Sequence, residues 1–190
     1  MIDGYFFGYG SLVNRQTHSY AQAHPASIRG WRRAWRFTQD RQIAFLTVVP
    51  DGSCEIEGLV AGVYAHEWSA LDDRERAYEK LCVSEDVSHA GSKEAQVVIY
   101  AIPQNQLNRP DGDHPVLLSY IDVVLQGYLH EYGTAGADRF LSTTSGWEAP
   151  ILNDRAQPRY SRAQPLADDE RAYVDSALAG LGCRLLKDTA

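Results

Sequence analysis

Up to His66 the chain offers four strand candidates and no helix. They are Gly4 to Tyr9, Arg29 to Gln39 (RGWRRAWRFTQ), Ile43 to Val49 (IAFLTVV) and Glu57 to His66 (EGLVAGVYAH). Each is rich in aromatic or β-branched residues and is set off by Pro, Asp or Gly. Helical spacing begins only at Ser69 to Leu81, where Ser69 and Asp72 are placed as a capping box. Another strand, Ala95 to Ile102, is expected after a turn at Gly91 and Ser92. Leu117, Ile121, Val124, Tyr128 and Tyr132 then recur at helical spacing, with Gly133 as the stop. Trp147 to Pro165 has three prolines and no periodicity, and reads as an extended segment over the surface before a last helix from about Asp168 to Leu181. This order lacks the strict βαβ alternation of a doubly wound sheet and predicts an α+β fold with a mixed, partly closed sheet.

At 190 residues the chain suits one domain with one core, and 44% apolar with 23% charged residues argues against disorder. A formal charge of -7 disfavours nucleic acid and anionic membrane as partners and favours small neutral or zwitterionic ligands. Cys54, Cys82 and Cys183 are widely spaced without a CxxC pair, so neither a disulfide framework nor a zinc site is expected, and a reducing cytoplasm is the simplest compartment. His18, His24, His66, His89, His114 and His130 show no HExxH or paired spacing, which predicts surface or loop positions and no metal. The N-terminus lacks a basic start with a long apolar run, and Asp122 and Gln126 interrupt the most apolar later segment, so no membrane association is expected. No GxxxxGKS/T occurs, and GYG lacks the third glycine of a dinucleotide fingerprint, so no cofactor is expected.

Two stretches carry chemistry. FFGYGSLVN, Phe6 to Asn14, reads as a strand ending in a tight loop, whose Gly10, Ser11 and Leu12 N–H groups could grip a carboxylate or a developing oxyanion, or could merely turn a corner. In SALDDRERAYEKLC, helical projection puts Trp68, Leu71, Tyr78 and Cys82 on one apolar stripe and Asp72, Asp73, Arg76, Glu79 and Lys80 on the solvent side. Glu75 falls inside the stripe. An inward carboxylate has its pKa raised and becomes a general acid/base candidate. It could equally pair with an arginine such as Arg29 or Arg32, or reach water at a rim, and spacing does not decide.

Ser11 is better read as a loop or substrate-binding hydroxyl than as a nucleophile, since GYGSL is not GxSxG and no histidine can be assigned to it. RGWRRAWRF has the look of a nucleic-acid platform, but strand alternation puts arginine on both faces, and ion pairing or packing of arginine stems is the plainer reading. Arg155, Arg159 and Arg162, on an irregular segment, are better placed to meet an acidic ligand, or else pin a tail by surface ion pairs.

A strand ending in YGSL (Tyr9, Gly10, Ser11, Leu12), followed later by LDxxE (Leu71, Asp72, Glu75) and then Tyr78 and Val83, resembles the γ-glutamylcyclotransferase-like superfamily, which includes the AIG2-like, ChaC and BtrG-like enzymes. Between them, RGWRRAWRF and GLVAGVYAH resemble the family's next strands. The likeness covers about residues 5 to 102, and each motif is short, so that order and separation carry it. It implies a mixed β-sheet closing into a small barrel with flanking helices, occupying residues 1–146, with residues 147–190 an extended segment and helix packed on that domain. It implies a cofactor-free enzyme that cyclises a small γ-glutamyl amide to 5-oxoproline, with Glu75 as acid/base and Tyr9 to Leu12, with Tyr78, holding the substrate. A non-catalytic member of the same fold, binding a small molecule or a protein, is the alternative. Arg76 stands where the family often has glycine, and Trp147 to Arg162 has no counterpart.

Overall fold

Ten strands and three α-helices make up the computed structural model, which describes residues 1–91 and 95–188. β1 (Ile2–Gly8) is followed by two long strands, β2 (Ala21–Arg36) and β3 (Phe45–Tyr64). The two candidates Ile43 to Val49 and Glu57 to His66 are one strand. The Pro50–Ser53 stretch between them has turn composition, but β2 runs alongside from Trp31, opposite Pro50, to Arg29, opposite Glu55, and holds it extended. The register shift between Arg29 and Trp31 takes up the irregularity as a bulge.

Helix α1 (Trp68–Arg74) leads into β4 (Glu79–Cys82), β5 (Val87–His89) and β6 (Val97–Ala101). The helix predicted for Ser69 to Leu81 thus ends early. Its last turn closes with the Glu75 N–H donating to the Leu71 carbonyl, and Glu79 to Cys82 pairs instead with β6. A strand edge awaiting a partner overrides local helical spacing, so that Cys82 is exposed. The capping box at Ser69 is not formed. Glu67 occupies the cap position, and its carboxylate accepts the Tyr64 N–H at 2.9 Å. Of the expected turn at Gly91 and Ser92, Ser92 lies outside the described residues.

The main sheet has the order β4-β6-β1-β3-β2-β5. β1 and β6 are parallel, and the other neighbours on this path are antiparallel. It is mixed, as expected, but open rather than closed into a barrel. β7 (Val116–Leu117), helix α2 (Leu118–Ser142), β8 (Thr144–Ser145), β9 (Ile151–Asn153), helix α3 (Asp168–Gly180) and β10 (Leu185–Lys187) complete the chain. β8 adds to β2 in parallel, and β7, β9 and β10 form a small parallel sheet of their own. Gly133 breaks the helical backbone of α2 (φ 66°), yet helix resumes beyond it. Among the described residues no helix is long and apolar enough to cross a membrane.

β1 is buried on both faces. Tyr5, Phe7 and Tyr9 join the core beneath Ile121, Val124 and Tyr128 of α2, while Phe6 packs with Leu12, Leu71 and Tyr100 on the α1 side. Each such fully buried side chain contributes about 1.5–3 kcal/mol. Because β1 is held from both sides, the loop at its C-terminal end is fixed between α1 and α2.

The arginines of RGWRRAWRF are consumed by the fold. Arg29 meets Glu55 and Arg32 meets Asp51. Arg33 is buried, donating to the Glu57 carbonyl at 2.9 Å and to Thr143 Oγ1 at 2.8 Å beneath the Phe140 ring. The extended segment after Trp147 is more than a surface strap. Buried Asp154 accepts both the Ser119 N–H and its hydroxyl, and Arg155 makes two 2.7 Å bonds to Asp122. Arg155 is therefore held in place as a structural cation.

Candidate active site

Beyond Gly8 the chain turns through a single 3₁₀ turn, Ser11–Val13, closed by the Val13 N–H on the Gly10 carbonyl at 2.9 Å. So short a turn leaves the N–H groups of its first residues without an intrahelical acceptor. Gly10 is required by a close approach: a Cβ there would stand 2.6 Å from the Tyr120 hydroxyl. That hydroxyl lies against the Ser11 N–H. Gly10→Ala is expected to push Tyr120 off the turn and lower turnover on the order of 10²-fold, the cost of a displacement of about 1 Å at a reacting centre. Steady-state kinetics beside an unfolding curve checks this, and stability is expected to change far less.

Tyr9, Gly10, Ser11, Leu12, Glu75 and Tyr78 line one cavity of about 40 Å³, together with Leu46, Tyr100 and Tyr120. The cavity continues into a groove of about 680 Å³ that shares Ser11, Leu46, Glu75, Tyr78 and Tyr120. Glu75 stands at the junction. It follows α1 directly, with 17% of its side chain exposed. Burial raises its pKa above 4.5, while the positive charges of Arg74 and Arg162 act the other way. Its ion-pair partner is Arg74, at 3.3 Å, rather than Arg29 or Arg32. Arg74 also donates to the Thr17 carbonyl and approaches Ser11 Oγ at 3.4 Å, so it braces the glutamate against the turn.

The tyrosines are neutral donors. Burial pushes Tyr9, Tyr78 and Tyr120 well above the usual phenol range. Tyr9 donates to the Tyr100 carbonyl at 2.6 Å and Tyr78 to the Leu46 carbonyl at 3.1 Å, which fixes both rings. Ser11 accepts the Tyr160 hydroxyl at 2.8 Å. No histidine stands among the described lining residues of either space, so Ser11 has no histidine partner there.

The family model for gamma-glutamyl cyclotransferase, AIG2-like, matches residues 6–118, which contain both the turn and Glu75. The chain belongs to this family. Among solved structures, a gamma-glutamyl cyclotransferase is 13% identical, with 91% of this chain and 98% of that one covered at a TM-score of 0.58. An uncharacterised Homo sapiens protein is 12% identical, with 90% and 98% covered at 0.57. YkqA from Bacillus subtilis is 18% identical, with 72% and 52% covered at 0.56. At these identities the likeness is one of fold. No curated protein sequence matches the chain.

Several residues of this candidate site escape sequence reasoning. Tyr120 sits in α2 off its apolar stripe, and Tyr160, which meets both Tyr120 and Ser11, comes from beyond the matched region. Its only signal is an aromatic set among arginines in PRYSR. Arg74 is hidden in a charged run.

His18 takes a loop position, one of the two expected of the histidines, but not an exposed one. It lies half-buried behind the turn, its Nε2 on the Leu12 carbonyl at 3.0 Å and its Nδ1 facing the Tyr20 N–H at 3.3 Å. That arrangement suits the neutral ring protonated on Nε2. Burial pushes its pKa down from 6.5 to about 4. The unfolded chain therefore takes up the proton first, and stability that is complete above pH 6.5 is lost as pH falls toward 4, by up to about 3 kcal/mol. Urea unfolding at a series of pH values is expected to show this decline, and His18→Gln to flatten it.

Proposed function

We propose that the chain cyclises a small γ-glutamyl amide to 5-oxoproline and releases the amine. The observation that carries this reading is a half-buried carboxylate of raised pKa, Glu75, facing a glycine-bearing turn across one cavity. In the reaction the substrate's α-ammonium gives a proton to Glu75, and its nitrogen attacks the γ-carbonyl carbon to close a five-membered ring. The amide C–N bond breaks as Glu75 returns the proton to the departing nitrogen, and the second proton shed by the ring nitrogen leaves on the released amine, which departs as its ammonium. No water is consumed and no protein nucleophile is needed. N–H groups at Gly10 to Leu12 stabilise the oxygen charge that develops on the carbonyl. The cavity and the inner end of the adjoining groove together hold the folded conformer in which amine and carbonyl already meet. Tyr9 and Tyr78 shape its wall.

The Arg74–Glu75 contact favours a second reading, a binding protein in which Glu75 is structural. The two separate on a panel of γ-glutamyl compounds, glutathione included, assayed for 5-oxoproline. Turnover of at least one member supports cyclisation. Binding without turnover of any supports the second reading.

A further inference from the structure

The stretch between β9 and α3 is clamped to α2 at both ends. At its start, buried Asp154 accepts the Ser119 N–H, the Ser119 hydroxyl and the Arg159 N–H. At its end, Gln126 Nε2 donates to the Pro165 carbonyl at 3.0 Å, while Gln126 Oε1 accepts Asn14 Nδ2 at 2.9 Å. Asn14 ends the 3₁₀ turn, so one buried side chain of α2 ties the turn and the stretch together. Between these clamps Tyr160 meets the Tyr120 ring edge-on, centroids 5.0 Å apart, and donates its hydroxyl to Ser11 Oγ at 2.8 Å.

Ser11 is nine-tenths buried and lines both the cavity and the groove. Its carbonyl is taken by the Asn14 N–H and the Thr17 hydroxyl, which fixes its backbone. A hydroxyl has two lone pairs and one proton. Tyr160 fills one lone pair and Arg74, at 3.4 Å, faces the other. The proton is left over, with no acceptor among the described residues. Accepting a bond also polarises the O–H that remains. We propose that Tyr160 is a positioning residue, which makes the Ser11 hydroxyl a fixed donor aimed at an acceptor oxygen of the ligand in the cavity. That this oxygen belongs to a γ-glutamyl unit rests on the cyclisation reading. Without the Tyr160 hydroxyl, Arg74 alone holds the Ser11 rotor, which must then be ordered as the ligand binds.

The test is a double-mutant cycle read by calorimetric binding of γ-glutamylglycine, made in the Glu75→Gln protein so that the ligand is not consumed. A neutral hydrogen bond is worth roughly 2- to 13-fold, and Ser11→Ala is expected to weaken binding by a factor in that range. Tyr160→Phe keeps the ring and its contact with Tyr120, and is expected to weaken binding by about 3-fold, within the same range. Once Ser11→Ala is present, Tyr160→Phe is expected to cost nothing further. A Tyr160 that merely packs the stretch in place acts independently of Ser11, so that the two losses multiply, and that result overturns the proposal. So does unchanged binding in Tyr160→Phe, and so does a failure of γ-glutamylglycine to bind at all. The unaltered protein is assayed in parallel for 5-oxoproline from the γ-glutamyl panel. Coupled losses without 5-oxoproline leave Tyr160 in its role and overturn the cyclisation reading, whereas 5-oxoproline with multiplied losses does the reverse.

Discussion

Glu75→Gln is expected to reduce 5-oxoproline release by about 10²- to 10⁴-fold, the usual contribution of a positioned acid–base group. The amide keeps the shape of the side chain but can neither take the proton from the α-ammonium nor return it to the leaving nitrogen. Stability is expected to change little. The substitution loses the 3.3 Å contact with Arg74 but also relieves a carboxylate of its burial, and Arg74 keeps the Thr17 carbonyl at 3.1 Å. The pH profile carries the same signature. Because burial holds the Glu75 pKa above 4.5, the acidic limb of kcat/KM is expected above the ordinary carboxylate range and to be missing from the variant. The Arg162 charge lowers that pKa, so Arg162→Gln is expected to move the limb to higher pH. Turnover that survives in Glu75→Gln would make the glutamate structural.

Gly58→Ala is expected to lower stability by about 3 kcal/mol, the upper end for an overpacked interior, and Tm by roughly 6–12 °C in a chain of this size. A Cβ at this position in β3 would stand 2.3 Å from the Gly8 carbonyl oxygen and 2.6 Å from the Phe7 ring. Neither can yield easily. Gly8 is paired with β3 at Leu59, and Phe7 is locked in the core. Relief must come from shifting the end of β1, which is the start of the turn at the candidate site, so activity is expected to fall with stability. Gly52→Ala, in the same strand with nothing within 4 Å of its Cβ, is the control and is expected to be neutral. Urea unfolding of the pair checks both.

How far these features can be read in advance differs element by element. β1 and its loop are legible because a doubly buried strand reads as a continuous apolar run and the glycines punctuate its end. Glu75 comes out facing inward, although the stated reason holds only in part: α1 stops just before it, and the turn that follows, not a continuing helix, directs it to the cavity. β4 is hidden because its four residues fit a helical stripe and find their strand partner only across the sheet, at β6. β7, β9 and β10 are two or three residues long, too short for any period. Tyr120, Tyr160 and Arg74 reach the site by tertiary approach, which spacing along the chain does not encode.

The most direct measurement is product balance in isotopically labelled water with a γ-glutamyl compound that the protein turns over. The account predicts 5-oxoproline and free amine in equal amounts, no label in the 5-oxoproline, and loss of both products in Glu75→Gln. Labelled free glutamate in place of 5-oxoproline would mean that water, not the substrate's own amine, attacks the γ-carbonyl, and would contradict it.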